Sequence, residues 1–314
     1  MTANASERAT TPEPEMLEYA GPPRAAAPST VRFAHTRSCY GRSVSRRAFA
    51  VLGLTLCGCA QLFGLDDTSA PPDALKDASP DAALGTMANP AASCLELLAA
   101  VGPISGVYWI KPTGGSSLPF EVFCEQQTNG GGWAMLFNSV QTAGQTTEFW
   151  QIPYAARLDR KGTRSAADNF YDGTLYLIGT SYMDVFVDLE GKLAVAAVMS
   201  ATGIDPTTMR FTQPALTVGN TDVYDNQFAS GWSSPDFDDD ANATINCSTS
   251  FSNVTQHYSS CWSYNLGSDA DDPVLDGGVG PHANNALLTT LGLALQPGGG
   301  MYSQVSRIAR FVRW

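Results

Sequence analysis

Short segments in which apolar and polar residues alternate follow one another along the second two thirds of this chain. Val107–Ile110 and Glu121–Cys124 each predict a strand with one buried face. Tyr182–Leu189 and Lys192–Val198 predict two further strands joined by a turn. Tyr302–Arg313 alternates apolar and basic side chains, which predicts a half-buried strand at the C-terminus. The pattern therefore indicates a strand-rich folded part.

The composition favours a loop-rich, β-containing extracellular fold over a helical bundle. The chain contains 29 glycines and 19 prolines, and only 15% of its residues are charged. The net charge of -12 argues against nucleic-acid binding, because few cations are present to neutralise phosphates. Residues 1–58 hold seven Arg and four Glu, which leaves 11 basic and 26 acidic residues and a net charge of -15. Such a surface suits cations or neutral glycans, or simply keeps an exposed protein soluble.

The N-terminal part contains an export signal. Ser45–Phe49, with two adjacent arginines, precedes the apolar run Val51–Leu54 and resembles a twin-arginine signal. The apolar stretch Ala48–Cys57 is too short to span a bilayer, so it predicts a signal segment and not a membrane anchor.

A lipid attachment site follows the signal. Leu56–Cys59 resembles a bacterial lipobox with Cys59 as the lipidated residue, and attached acyl chains would anchor the protein stably. Ala60 follows the cysteine, which in Gram-negative lipoproteins implies the outer membrane and the cell surface. The resemblance predicts an exported outer-membrane lipoprotein.

These features divide the chain into four parts. Residues 1–42 are either a disordered extension or not part of the protein, if the true start codon lies downstream. Residues 43–58 are the signal with its lipobox. Residues 59–92 are predicted to be an Ala/Pro/Asp-rich linker, because they contain too few large apolar groups to offset the entropy of folding. Residues 93–314 are the folded domain.

The cysteines outside the signal and the lipid site suggest disulfides. Cys39 and Cys57 leave with the signal, and an even number remains: Cys94, Cys124, Cys247 and Cys261. In an oxidising compartment four cysteines form two disulfides, with three possible connectivities. The alternative is a zinc site, although no C-x-x-C pair is present and only His257 and His282 remain to complete it.

Four segments after residue 93 carry a family resemblance. They are, in order, Cys94–Leu98, Ser105–Ile110, Pro119–Cys124 and Asn129–Trp133. Together they resemble the opening of the fibrinogen C-terminal-like domain, which ficolins, intelectins and fibrinogen share, and Tyr302–Arg313 resembles its final strand.

The resemblance implies a fold and a disulfide pattern. The fold would be of the α+β class, with a twisted, mainly antiparallel sheet, short helices and long loops. It implies the pairs Cys94–Cys124 and Cys247–Cys261. The glycine run would let the backbone turn tightly before Trp133.

An acidic run, Asp236–Asp240, is the candidate metal site. Carboxylates two residues apart in a turn can converge on one calcium ion, which prefers oxygen ligands. The resemblance implies calcium at the side chains of Asp238 and Asp240 and at the backbone carbonyls near Asn242 and Thr244. The alternative is a solvated acidic loop that binds nothing specific. A second acidic cluster is either another cation site or a solvated loop, and the solvated loop is favoured. It comprises Asp269, Asp271, Asp272 and Asp276.

The loop between Cys247 and Cys261 is the candidate ligand site. In the family this loop flanks the ligand pocket, and the peptide bond before its second cysteine is often cis, which here would be Ser260–Cys261. The residues expected at the pocket are Tyr258, Ser260, Cys261, Trp262 and Tyr264. The alternative is that these aromatic side chains belong to the core. The family's G-W-W before the second cysteine is absent, so the identity of the ligand does not carry over.

These features predict a binding protein and not an enzyme. The chain has no nucleophile elbow, H-E-x-x-H motif or phosphate loop, and His257 and His282 lack the context of a catalytic triad. The first hypothesis is calcium-assisted binding of an extracellular glycan or acetylated ligand. The second is adhesion to another surface protein without sugar specificity.

Overall fold

The structure, a computed structural model, describes residues 82–113, 118–141, 147–268, 279–298 and 300–314. The predicted segments 1–42 and 43–58, the lipobox cysteine Cys59 and most of the predicted linker lie outside these residues. All the described residues belong to one compact unit. Among them, no helix is long and apolar enough to cross a membrane.

The helices are few and short. The α-helices are α1 (Cys94–Val101), α2 (Thr221–Gln227), α3 (Cys247–Ser250) and α4 (Asn285–Thr290). Single 3-10 turns cover Thr128–Gly130, Thr147–Phe149, Tyr154–Ala156 and Gly173–Leu177. Each α-helix begins after a Ser or Asn whose side chain accepts a hydrogen bond from a backbone N–H of the first turn.

Sixteen strands form the rest of the described secondary structure. They are β1 (Gly106–Ile110), β2 (Phe120–Glu125), β3 (Trp133–Val140), β4 (Arg160–Gly162), β5 (Phe170–Asp172), β6 (Ser181–Val187), β7 (Leu193–Ser200), β8 (Gly203–Ile204), β9 (Phe211–Thr212), β10 (Ala215–Gly219), β11 (Gly231–Ser233), β12 (Gln256–Tyr258), β13 (Tyr264–Ser268), β14 (Gly280–Asn284), β15 (Tyr302–Gln304) and β16 (Arg307–Arg313).

A nine-stranded sheet forms the body of the domain. Its strand order is β1-β2-β3-β16-β6-β7-β10, and β5 pairs with both β3 and β4. Three smaller sheets contain β11-β12, β13-β14-β15 and β8-β9. All these strand pairs are antiparallel. The predicted α+β class with a mainly antiparallel sheet is confirmed.

The first disulfide and the glycine run fix the start of the domain. Cys94 and Cys124 are bonded, with their Cα atoms 5.5 Å apart, so the pairing implied by the resemblance is confirmed. Gly131 has a φ of +67°, and a Cβ atom there would lie 2.2 Å from the carbonyl oxygen of Gln126. Only glycine fits that turn. It leads into Trp133, which is buried under the guanidinium of Arg313 at 3.8 Å from the ring centre.

The packed part of the chain begins earlier than residue 93. Ala91 is fully buried, and its backbone pairs with strand β1 through Trp109 and Lys111. Gly85 also exchanges a backbone hydrogen bond with Trp109, at 2.8 Å. The end of the predicted linker therefore lies against the domain, because its small residues fit beside the edge strand.

The closing strand β16 lies in the middle of the large sheet. It pairs with β3 on one side and β6 on the other, and its residues from Ile308 to Val312 are buried on both faces. The expectation of a half-buried strand is therefore wrong, because a second apolar cluster covers the other face of the sheet. Arg310, on the first face, is itself inside the core.

Candidate functional site

The acidic loop follows β11, and three of its four aspartates have partners in the protein besides Ser233: Asp236, Asp239 and Asp240. Asp236 accepts hydrogen bonds from the backbone N–H of Tyr154 at 2.8 Å and from the hydroxyl of Ser234 at 2.7 Å. Asp239 forms an ion pair with Arg210 at 2.5 Å. These two carboxylates stabilise the loop and already have partners.

The other two aspartates converge on one hydroxyl group. The Oγ atom of Ser233 lies 3.4 Å from a carboxylate oxygen of Asp238 and 3.5 Å from one of Asp240. A hydroxyl carries a single proton, so it can donate to only one of the two carboxylates at a time. Burial and the neighbouring Asp238 raise the pKa of Asp240 above its ordinary value. The two carboxylates therefore form a negative pair, in which backbone N–H groups of Asn242 and Cys247 donate to Asp240 and only the Ser233 hydroxyl is placed to donate to Asp238.

The loop offers further oxygen atoms beside this pair. The side chain of Asn242 accepts hydrogen bonds from the backbone N–H and the hydroxyl of Thr244, which holds the turn. Within the described residues, no hydrogen bond is donated to the backbone carbonyls of Asn242 and Thr244. Oxygen donors of this kind fit calcium. Among the described residues, including this loop, no three His, Cys, Asp or Glu side chains lie close enough to hold one metal ion. Backbone carbonyls and water would therefore have to complete the coordination shell of a calcium ion at Asp238 and Asp240.

Asp240 connects the acidic loop to the second disulfide. Its carboxylate accepts a hydrogen bond from the backbone N–H of Cys247 at 2.8 Å. Cys247 and Cys261 are bonded, with their Cα atoms 5.3 Å apart, which confirms the second pairing. The backbone N–H of Ala241 donates to the carbonyl of Ser259 inside the loop that this disulfide closes. The metal candidate and the ligand candidate therefore share one framework.

The predicted ligand residues are not all at the surface. Ser260 is exposed, and Cys261 and Trp262 are only slightly accessible. Tyr258 is fully buried, and its hydroxyl donates to the carbonyl of Val254 at 2.7 Å. The peptide bond between Ser260 and Cys261 is trans, like every other peptide bond in the described ranges, so the expected cis bond is not found.

Tyr264 belongs to the core and not to a pocket wall. Its side chain is 1% exposed, and its hydroxyl donates to Asp184 at 2.7 Å and accepts from Arg310 at 3.0 Å. Of the three predicted aromatic walls, only Trp262 remains near the surface. Its ring lies 4.4 Å from that of Tyr302 and 5.5 Å from that of Phe251.

A buried ion pair lies beneath the small sheets. The guanidinium of Arg310 donates to both carboxylate oxygens of Asp184, at 2.7 and 2.9 Å, and neither side chain is more than 1% exposed. His257 is buried beside it, 3.5 Å from Arg310, and its Nε2 donates to the carbonyl of Met209. Burial, and then the charge of Arg310, lower the pKa of His257 to about 3. His257 is a neutral core residue.

Comparison with solved structures decides the fold. The fibrinogen-like globe domain of human ANGPTL6 superposes with a TM-score of 0.50 and 20% sequence identity, over 72% of this chain and 96% of that one. The chain has a fibrinogen-like fold. The corresponding domain of human ANGPTL2 gives a TM-score of 0.48 at 20% identity, over 71% and 99%. No family of known sequences and no curated protein matches the chain.

The remaining predicted residues lie outside the described part of this fibrinogen-like domain. They are Cys59 and the second acidic cluster of Asp269, Asp271, Asp272 and Asp276. Sequence reasoning also missed two residues that the fold brings to the site. Ser233 reaches Asp238 because β11 ends beside the acidic loop, and Tyr302 reaches Trp262 from a strand 40 residues further along the chain. The alternation of apolar and polar residues around Ser233 is too short to predict where the Ser233 side chain lies.

Proposed function

We propose that this fibrinogen-like domain is a recognition module that binds an extracellular glycan or an acetylated ligand with the help of calcium. The observation that carries the proposal is the pair of carboxylates on Asp238 and Asp240, which share one hydroxyl donor from Ser233. A divalent cation would relieve their repulsion. The side chains and free carbonyls of the loop provide the oxygen ligands that calcium requires.

The ligand would lie beside the second disulfide. The link from Asp240 to the N–H of Cys247 would let the cation stabilise the loop that carries Ser260 and Trp262. An indole ring near the surface can stack on the apolar face of a sugar or an acetyl group. Recognition, and not catalysis, is the activity we infer, since His257 is buried and its pKa is lowered to about 3.

Binding can be tested on a soluble form that comprises residues 69–314. We expect it to bind a subset of acetylated glycans on an array in calcium, and to lose that binding in a chelator or with Asp238→Ala. The control variant is Asp225→Asn, because Asp225 is exposed and its side chain accepts no hydrogen bond within the described residues. Glycan binding that ignores both the chelator and Asp238→Ala would refute the calcium-assisted site.

A second candidate function is adhesion to another envelope protein. The burial of Tyr258 and Tyr264 favours it, because it removes two of the three aromatic walls expected around a sugar pocket. A protein partner, unlike a small ligand, does not require an enclosed pocket. Capture of one defined protein from envelope extracts, unaffected by added sugars, would support this function over the first.

We also propose that Cys59 carries a lipid that holds the domain at the outer membrane of a Gram-negative cell. The support is the lipobox and the twin-arginine signal before it. Metabolic labelling with a palmitate analogue should be lost in Cys59→Ala. Labelling that persists in this variant would refute the anchor.

A further inference from the structure

A cleft lies beside the hairpin of β4 and β5, next to the Tyr154 backbone that holds Asp236 of the acidic loop. Its volume is about 160 Å³, and its walls come from residues 151–161 and from Tyr171. Ile152 and Tyr171 are 3% and 4% exposed and give the cleft an apolar floor. A cleft of this volume suits one sugar ring or a short chain more than a larger molecule.

The cleft lies in the most basic segment of an acidic domain. Residues 82–314 contain ten Lys and Arg in all, and four of them fall within eight residues: Arg157, Arg160, Lys161 and Arg164. Asp159 is the only acidic residue in that span. Two of these cations are already paired with carboxylates, Arg160 with Asp172 and Arg164 with Glu121. The cations that line the cleft are Arg160 and Lys161, so their remaining donors are the groups available to an anion.

Arg160 is held in place with donors to spare. Its Nε donates to a carboxylate oxygen of Asp172 at 2.5 Å, and the Asp172 side chain is fully buried. Within the described residues, its two Nη atoms donate to no partner. A guanidinium fixed through one nitrogen presents its other donors without further loss of side-chain entropy, and such a fork fits a carboxylate.

Lys161 adds a second cation to the same cleft. Its ammonium group donates to the carbonyls of Glu148 and Phe149, at 3.3 and 2.6 Å, and lies 4.6 Å from the centre of the Phe149 ring. Partial burial lowers its pKa. An anion beside this ammonium would offset the hydration that it loses in the fold.

Asp159 and Gln151 contribute hydrogen-bond acceptors to the cleft, whereas Arg160 and Lys161 contribute donors. The Asp159 carboxylate is exposed and accepts no hydrogen bond within the described residues, and neither does the side-chain oxygen of Gln151, whose amide nitrogen donates to the carbonyl of Ser252. These two acceptors require donor groups on a ligand, such as hydroxyls. A ligand that pairs with both the donors and the acceptors of the cleft is a small molecule that carries a negative group and hydroxyl groups.

We propose that this cleft binds a small hydroxylated carboxylate, such as a uronic acid, with the carboxylate at Arg160 and Lys161 and the hydroxyls toward Asp159 and Gln151. The apolar floor would pack against the ring. No side chain of the acidic loop lines this site, and it requires no calcium.

The test is a chemical-shift titration of the ¹⁵N-labelled soluble form, residues 69–314, with D-glucuronate and with D-glucose in a chelator. We expect saturable shifts around Gln151 and Tyr171 with glucuronate, and at least tenfold weaker affinity for glucose. Lys161→Gln should weaken glucuronate binding about tenfold, the effect of losing one charge-assisted hydrogen bond. The matched control is Lys111→Gln, because Lys111 is exposed and does not line the cleft.

A third variant separates charge recognition from a structural effect. Lys161→Arg, which keeps the positive charge, should bind glucuronate nearly as tightly as the unaltered protein, and a loss as large as that of Lys161→Gln would contradict charge recognition. Equal binding of glucose and glucuronate, unchanged affinity in Lys161→Gln, or the absence of saturable shifts with glucuronate would each overturn the proposal. A trimer of galacturonate that binds more tightly than glucuronate would identify an acidic polysaccharide as the source, and equal affinity would identify the free acid.

Discussion

Asp238→Asn should have opposite effects on stability in the absence and the presence of calcium. The substitution keeps the shape of the side chain and removes one of the two negative charges near Ser233. Without calcium, the variant should be at least as stable as the unaltered protein, because the repulsion of Asp240 is gone. The gain should be at most about 1 kcal/mol, since Asp238 is exposed and solvent screens the pair.

With calcium the order should reverse. An ion at one hundred times its dissociation constant adds about 2.7 kcal/mol to the free energy of unfolding. For a domain of this size that corresponds to a rise in the melting midpoint of about 5–10 °C. Asp238→Asn should lose most of this rise, whereas the control Asp225→Asn should keep it.

The pKa of Asp240 adds a check on pH. Because this pKa is raised in the folded state, the folded carboxyl binds its proton more tightly than the unfolded one. The contribution of Asp240 to the stability of the calcium-free domain should therefore fall as the pH rises through the raised pKa, and this fall should be absent in Asp240→Asn. Calcium should offset it only above that pH, where the carboxylate is charged.

Differential scanning calorimetry of the soluble form at pH 4 and pH 7, with calcium and with a chelator, measures all these effects. Asp238→Asn that retains the full calcium shift would refute the assigned site. An unaltered protein that gains no stability in excess calcium would refute the site altogether. A variant clearly less stable in the chelator would show that Asp238 serves the loop structure and not a cation.

Three further predictions concern the framework of the domain, each measured by urea denaturation. Arg310→Met should lower the free energy of unfolding by about 3–5 kcal/mol, because it leaves Asp184 charged and without its ion-pair partner. Adding Asp184→Asn should recover part of this loss, and purely additive effects of the two substitutions would contradict the coupling. Lowering the pH from 6.5 toward 3 should destabilise the domain, because unfolding lets His257 take up a proton, and His257→Gln should weaken this dependence. Replacing Cys94 and Cys124 by serine should cost about 3–4 kcal/mol, and a loss below about 1 kcal/mol would contradict the role of that loop closure.

The opening of the domain could be predicted from sequence because its determinants are local. The alternation around Val107 and Val122, the glycine run before Trp133 and the two cysteines all act within 40 residues of one another. Gly131 in particular is required by the backbone alone. Such signals survive in a single sequence.

The burial of Arg310 could not be predicted, because its partner is 126 residues away along the chain. In an alternating strand a basic residue is expected to face solvent, and only the position of β16 between β3 and β6 places Arg310 beside Asp184. The burial of Tyr264 could not be predicted either, since the sequence near a cysteine does not show whether an aromatic residue lies in the core or in a pocket wall.

The loop position of the acidic residues was easier to predict than the exposure of the aromatic residues, because burial costs the two kinds of group differently; cation binding by the acidic residues stays a prediction. A carboxylate without a counter-charge favours contact with solvent, and in this loop Asp238 is exposed and Asp240 half-buried. A tyrosine can be buried once its hydroxyl finds an acceptor, as Tyr258 does at the carbonyl of Val254. Charge therefore restricts the position of a side chain more than aromaticity does, and specificity for a ligand must be sought among the groups that remain accessible, of which Ser260 is exposed and Trp262 only slightly so.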